Sequence, residues 1–140
     1  MTMLPPGYTF GDRPDPVATH AYLTRSYWAQ GIPLETVTKS IAHSICAAIF
    51  HDSAQVAFAR AISDQATFAY LADVYVLEDH RGRGLSHSLL DALHSHPDLQ
   101  GLRRWALFTQ DAQELYSSHG WSQYPHPERM MTKDDPGVYK

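Results

Sequence analysis

The chain has 140 residues, of which 44% are hydrophobic and 19% charged, and a formal net charge of −4. That is one domain of soluble, globular composition, and an acidic balance without a basic block argues against nucleic acid as a partner. No apolar run approaches the ~20 residues of a membrane span, Met1 to Phe10 lacks the basic start of a signal peptide, and the lone Cys46 rules out an intrachain disulfide and suits a reducing cytoplasm.

Tyr8-Thr9-Phe10 is a short strand candidate. Asp15 can cap a helix from Pro16 to about Ala29, which Gly31 would stop, and Pro33 restarts a second helix through about Ile41. Ser44–Phe50, Gln55–Ile62 and Phe68–Leu77 read as three successive strands, with turns at His51-Asp52-Ser53 and Asp64-Gln65. In the third strand, period-two alternation puts Ala69, Leu71, Asp73 and Tyr75 on one face. A glycine turn follows, then a helix to His94 whose Leu85, Leu89, Leu90 and Leu93 form a core stripe. Arg104–Thr109 reads as a strand too continuously apolar for a sheet edge. Asp111 caps a short helix, Ala112–Ser118, which Gly120 closes, and Met130-Met131-Thr132 is a candidate last strand. The order predicts one α/β (α+β) domain over residues 1–140 with a central mixed sheet.

The turn after the third strand carries the chemistry. Arg81-Gly82-Arg83-Gly84-Leu85-Ser86 joins a buried strand to a helix. Gly82 and Gly84 allow a tight turn and close approach of the backbone to a ligand. The first helical turn aims N–H groups and the positive end of the helix dipole at one point, and Arg81 and Arg83 add cationic charge. Such a site suits a phosphate or pyrophosphate. A Walker loop is absent, and a Rossmann turn starting at Gly82 would need glycine where His87 stands.

What remains, Arg81-x-x-Gly84-x-Ser86, resembles the Arg/Gln-x-x-Gly-x-Gly/Ala signature of the GNAT superfamily of N-acyltransferases, with serine at the last position and Glu78 where many members have proline. The three strands before the turn agree with that family. So does Ala112-Gln113-Glu114-Leu115-Tyr116-Ser117-Ser118-His119-Gly120-Trp121, which looks like its Ala-x-x-x-Tyr-x-x-x-Gly-Phe segment with tryptophan for phenylalanine. The resemblance covers nearly the whole chain and implies a GNAT-type mixed, mostly antiparallel sheet flanked by helices. It implies transfer of an acetyl group from acetyl-CoA to an amine by direct attack in a ternary complex, with no metal. The backbone of Val74, Tyr75 and Val76 would hold the pantetheine arm, and Arg81, Gly82, Arg83, Gly84, Leu85 and Ser86 the pyrophosphate. Arg81 has a structural rival role, pairing with Glu78 or Asp79.

By the same resemblance Tyr116 would give its phenolic proton to the coenzyme sulfur; the plainer reading is a core aromatic with its hydroxyl at the surface. Asp73 is the candidate base. It lies in an otherwise apolar run, where an unpartnered carboxylate is costly to bury and burial favours its protonated form. Alternatively it orders its neighbours through hydrogen bonds, and water accepts the proton. The family's first two helices usually wall the acceptor site. Here Tyr27, Trp28 and Glu35 would suit a cationic amine through cation–π contact and charge pairing. The acceptor is a small molecule or a protein terminus, and the chain a monomer or homodimer. The nine histidines show no zinc spacing. A rival of another class, a non-catalytic acyl-CoA-binding sensor, would keep Arg81 to Ser86 and lose the proton-handling groups; Tyr116 favours the enzyme.

Overall fold

The computed structural model describes residues 3–140. Residues 3–108 form one compact unit and Thr109–Lys140 a second, smaller one. The first unit begins with β1 (Tyr8–Phe10), followed by α1 (Pro16–Leu23) and α2 (Leu34–Ala42). Asp15 caps α1, its Oδ1 accepting from the backbone N–H groups of Val17 and Ala18. The helix ends at Leu23, six residues before the expected Ala29. The Ser26 hydroxyl donates to the Leu23 carbonyl at 2.7 Å and accepts from the Ala29 N–H at 3.1 Å, and Gly31 N–H returns to the Thr24 carbonyl. A short hydroxyl side chain has here outcompeted the helical ladder. The segment freed between the two helices carries Tyr27 and Trp28.

Three long strands follow: β2 (Ile45–His51), β3 (Ala54–Ser63) and β4 (Phe68–Val76). The β2–β3 hairpin turns on Asp52 and Ser53, both at positive φ (50° and 69°), the handedness a two-residue loop between right-twisted strands requires. After β4 come α3 (Leu85–His94) and β5 (Arg104–Ala106). The sheet order is β1-β2-β3-β4-β5, with the first four strands antiparallel and β5 parallel to β4.

Helices cover both faces. Ala48, Phe58 and Tyr75 stand in register across β2, β3 and β4 and join Leu23, Ala29, Ile32 and Val37 in one core beneath α1 and α2. On the other face α3 packs on β2, β3 and β4 and buries Leu85, Leu89, Leu90 and Leu93, each at most 1% exposed. The expected leucine stripe is thus the one that packs.

Two expectations about the sheet are corrected. The strand at Arg104 stops at Ala106 and is the last in the sheet order among the described residues. Met130–Thr132 forms no strand; it follows a short 3-10 turn, Met131 is exposed, and Thr132 bonds Asp134 instead. The continuous apolar run predicts a central strand; β5 instead pairs over its three residues with β4 alone.

Face alternation in β4 also fails. Ala72 pairs with Arg60 and Tyr75 with Phe58, so Asp73 and Val74 together oppose Ala59 alone. This is a β-bulge, and Asp73 takes a left-handed φ of 57°. Leu71 pairs with Ala61 on the α3 face, whereas Tyr75 joins the core beneath α1 and α2. One extra residue moves everything after it to the opposite face.

In the second unit α4 (Gln113–Ser117) is capped by Ala112, with no side-chain cap. The Thr109 hydroxyl, not Asp111, accepts from the Ala112 N–H. Gly120, at φ 89°, closes the helix as expected: its N–H reaches the Ser117 carbonyl and that of Trp121 the Tyr116 carbonyl.

Candidate active site

Beyond β4 the chain makes a short 3-10 turn, Glu78–His80, before the glycines. Gly82 and Gly84 have φ of 78° and 77°, a region costly for residues with a Cβ. A Cβ built at either would meet no atom within 4 Å, so these glycines serve the backbone path and leave open space over the loop. Gly84 is the N-cap of α3 and no side chain caps the helix. A ten-residue helix that opens on left-handed glycines, uncapped and flanked by Arg81 and Arg83, is suited to an anion. The residues present fit the pyrophosphate of a coenzyme.

Arg81 takes neither of its expected acidic partners. Its Nε donates to the Val76 carbonyl at 3.0 Å and its Nη2 to the Tyr22 hydroxyl at 3.1 Å. Both acceptors are neutral and tie the turn to the end of β4, while the Arg81 charge also acts on the nearby Glu78 carboxylate without a hydrogen bond to it. Glu78 pairs instead with Arg25, through two hydrogen bonds of 2.9 and 3.0 Å. Those bonds hold the Glu78 carboxyl well below the usual carboxylate range. Arg25 lies 4.4 Å over the Tyr22 ring, and Tyr22 stacks on Tyr75 at 4.1 Å. Gln55 anchors the stack from below: its Nε2 donates to the hydroxyls of Tyr75 and Thr19, and its Oε1 accepts from the Asp15 N–H. Arg25, Leu77, Glu78, Asp79 and His80 line a cleft of about 350 Å³ beside this turn.

Asp73 is not the unpartnered carboxylate that its apolar run suggested. Arg60 Nε donates to its Oδ2 at 2.6 Å, and the Trp28 indole Nε1 to its Oδ1 at 2.9 Å. Arg60 also donates to the Ser44 hydroxyl at 3.1 Å. The fold therefore brings the candidate base and one candidate acceptor residue into contact. Tyr27 joins them edge-to-face on Trp28 at 5.1 Å, whereas Glu35 sits exposed in the first turn of α2, with no hydrogen bond to any of the three. Within the second unit Tyr116 is half-buried on α4, its ring 6.0 Å from that of Trp121.

Sequence reasoning missed Arg60, Arg25 and Gln55. Arg60 was the findable one: a charged residue midway along an apolar strand needs an opposite charge, and Asp73 is the only acid within the next strand.

Cys46 stands in register with Arg60. Burial pushes its thiol up to about 11, with Arg60 opposing the shift and Asp73 adding to it. At pH 8 the thiolate fraction is then on the order of 10⁻³, against roughly a quarter for a thiol near pKa 8.5. A disulfide reagent should label native Cys46 about two orders of magnitude more slowly than the urea-unfolded chain. Equal rates would show the thiol to be open.

A family model of the acetyltransferase (GNAT) domain matches residues 42–123, from the end of α2 past α4. The chain belongs to the GNAT acetyltransferase family. A candidate acetyltransferase of Gibberella zeae is 30% identical over 114 residues, covering 66% of this chain; the chain spans 63% of that relative's length. A crystal structure from Xanthomonas campestris pv. campestris, a candidate acetyltransferase assigned to the same family, is 47% identical, with a TM-score of 0.90 over 96% of this chain and 97% of its own. A predicted acetyltransferase of Clostridium acetobutylicum, solved with acetyl-CoA, shares the fold: 15% identity, TM-score 0.67, 91% of this chain and 94% of its own. Among the described residues no cluster of three or more His, Cys, Asp or Glu is placed to hold a metal ion, and no helix is long and apolar enough to cross a membrane.

Proposed function

We propose that this GNAT family member is an N-acetyltransferase that moves an acetyl group from acetyl-CoA to an amine by direct attack. The observation that carries the reading is the uncapped start of α3 on left-handed Gly82 and Gly84, with Arg81 and Arg83 beside it. Acetyl-CoA bound in the Clostridium acetobutylicum protein supports the same ligand class here. When bound, acetyl-CoA supplies a thioester already activated toward an amine. Arg81, Arg83 and the Gly82–Ser86 backbone hold the pyrophosphate, and the backbone of Val74, Tyr75 and Val76 holds the pantetheine arm. The Val76 carbonyl keeps one lone pair beyond its bond to Arg81.

Tyr27 and Trp28 form the acceptor wall. The attacking amine must be neutral, and its proton leaves to water, because the Arg60 guanidinium already pairs with the Asp73 carboxylate and favours its charged form over a protonated one. Tyr116 gives its phenolic proton to the departing thiolate. The single cysteine agrees with action in a reducing cytoplasm. A thiol-release assay with acetyl-CoA against small amines, amino acids and short peptides tests the reading. Amine-dependent release of coenzyme A is expected. Tight binding of acetyl-CoA without transfer to any amine would replace the enzyme with an acyl-CoA sensor.

A further inference from the structure

The segment between α1 and α2 carries two large rings outside any helix, Tyr27 at 61% and Trp28 at 41% exposed. Two such side chains would ordinarily sample several rotamers, and ordering them costs entropy. Yet the Trp28 indole is pinned at its one polar atom. Its Nε1 donates to Asp73, whose second oxygen is held by Arg60 at 2.6 Å, the two charged side chains being only 9% and 16% exposed. Arg60 is braced in turn by the Ser44 hydroxyl, which bonds the Ser40 carbonyl in the last turn of α2. The β4 bulge turns Asp73 toward this face, at the left-handed φ that aspartate and asparagine tolerate best among residues with a Cβ. The chain of bonds runs from the sheet to the exposed ring and stops there, and Tyr27 packs against the fixed ring at 82°.

We propose that Arg60 and Asp73 are a positioning pair that locks the Trp28 indole, so that Trp28 and Tyr27 present a rigid aromatic wall selecting amines borne on a flat aromatic framework. Because Arg60 neutralises Asp73, the wall attracts through its ring faces and not through a free carboxylate. Preorganising such a wall lowers the ordering cost of binding. The proposal rests on the acetyl-transfer reading for its choice of ligand, but the locking of the indole is measurable without turnover.

The test uses the full chain and two probes, 2-phenylethylamine and n-butylamine. The parent should show a KM for phenylethylamine about tenfold below that for butylamine, a difference of ~1.4 kcal/mol. In ¹⁵N-labelled protein, the Trp28 indole N–H, identified by its loss in Trp28→Phe, should exchange slowly with water. Arg60→Met should speed that exchange about tenfold and raise the phenylethylamine KM about tenfold. Its kcat and its dissociation constant for acetyl-CoA should stay within about threefold of the parent. Arg60→Lys, which keeps the charge, should recover most of both effects. In a Trp28→Phe background Arg60→Met should add less than about twofold to KM, because its route to the amine is gone.

Should Arg60→Met not fold, Asp73→Asn gives the same readouts. It suits the left-handed backbone and keeps an oxygen for the indole, but removes the charge that Arg60 pairs with. Equal effects of Arg60→Met with and without Trp28, an indole unchanged by it, or equal KM values for the two amines would each overturn the proposal. So would an Asp73→Asn variant that loses about 10² or more in kcat at unchanged KM, which would make Asp73 the base. A parent that transfers to neither amine nor to any other would end the acetyl-transfer reading, and the indole exchange would still decide the positioning.

Discussion

Gly84→Glu should abolish acetyl-CoA binding while the protein still folds. The two halves of that expectation rest on different observations. A Cβ at Gly84 meets nothing within 4 Å, so a side chain leaves the backbone there into open space. Its cost is the left-handed backbone, φ 77°, roughly 1–2 kcal/mol for a residue with a Cβ. In the proposed site the first turn of α3 would offer its dipole to the pyrophosphate in that same space, and a carboxylate there would replace attraction with repulsion. For the parent, acetyl-CoA at ~100 times its dissociation constant should add about 2.7 kcal/mol of stability, seen as a higher melting temperature. The variant should melt lower than the parent and show no shift with millimolar acetyl-CoA. Gly84→Ala separates the terms: it carries the backbone strain without the charge, so it should melt lower yet keep a shift. A parent melting curve unmoved by acetyl-CoA, or a Gly84→Glu variant shifted like the parent, would remove the coenzyme site from this loop.

The parts of this fold that were legible in the sequence are those governed by local rules. The glycine turn and the leucine stripe of α3 follow from backbone permissiveness and 3.6-residue periodicity, and both stand where expected. The capping of α1 by Asp15 is equally local. The errors arise where a distant or competing partner decides. The Ser26 hydroxyl ends α1 early, a contest between side chain and ladder that helix propensity does not resolve. Asp73 and Val74 share one partner residue across the sheet, and no feature within β4 announces that bulge. The consequence reaches the site. Strict alternation would have put Asp73 with Leu71 on the α3 face, away from Trp28. The bulge instead gives it to Arg60 and Trp28, and a carboxylate that looked isolated becomes the centre of a charged, hydrogen-bonded set. Sequence reading singles out Trp28 and Asp73 separately, one as an aromatic at the junction between two helices and the other as an acid in an apolar run, each with a plainer structural role beside the functional one. It could not join them, since the contact spans 45 residues and depends on the register of one strand.

Tyr116→Phe should lower turnover by about 10²–10⁴ and leave the coenzyme affinity within about threefold of the parent. The substitution removes one oxygen. The ring stays half-buried on α4, with Trp121 still 6.0 Å away, so packing within that unit is retained. The helix itself is closed by backbone bonds from Gly120 and Trp121, which the substitution does not touch. A phenolic hydroxyl can donate its proton to a thiolate as the carbon–sulfur bond breaks. Without it the thiolate must leave as the anion or take a proton from water that is not held in place. The loss should therefore fall on kcat, and kcat/KM should fall with it, the pattern of an interaction made only in the transition state. A threefold limit on the dissociation constant is less than ~1 kcal/mol, small against the ~2.7–5.5 kcal/mol lost from the barrier, so the two effects are separable in one set of measurements. A phenylalanine variant as fast as the parent would assign Tyr116 to packing alone and leave protonation of the thiolate to solvent.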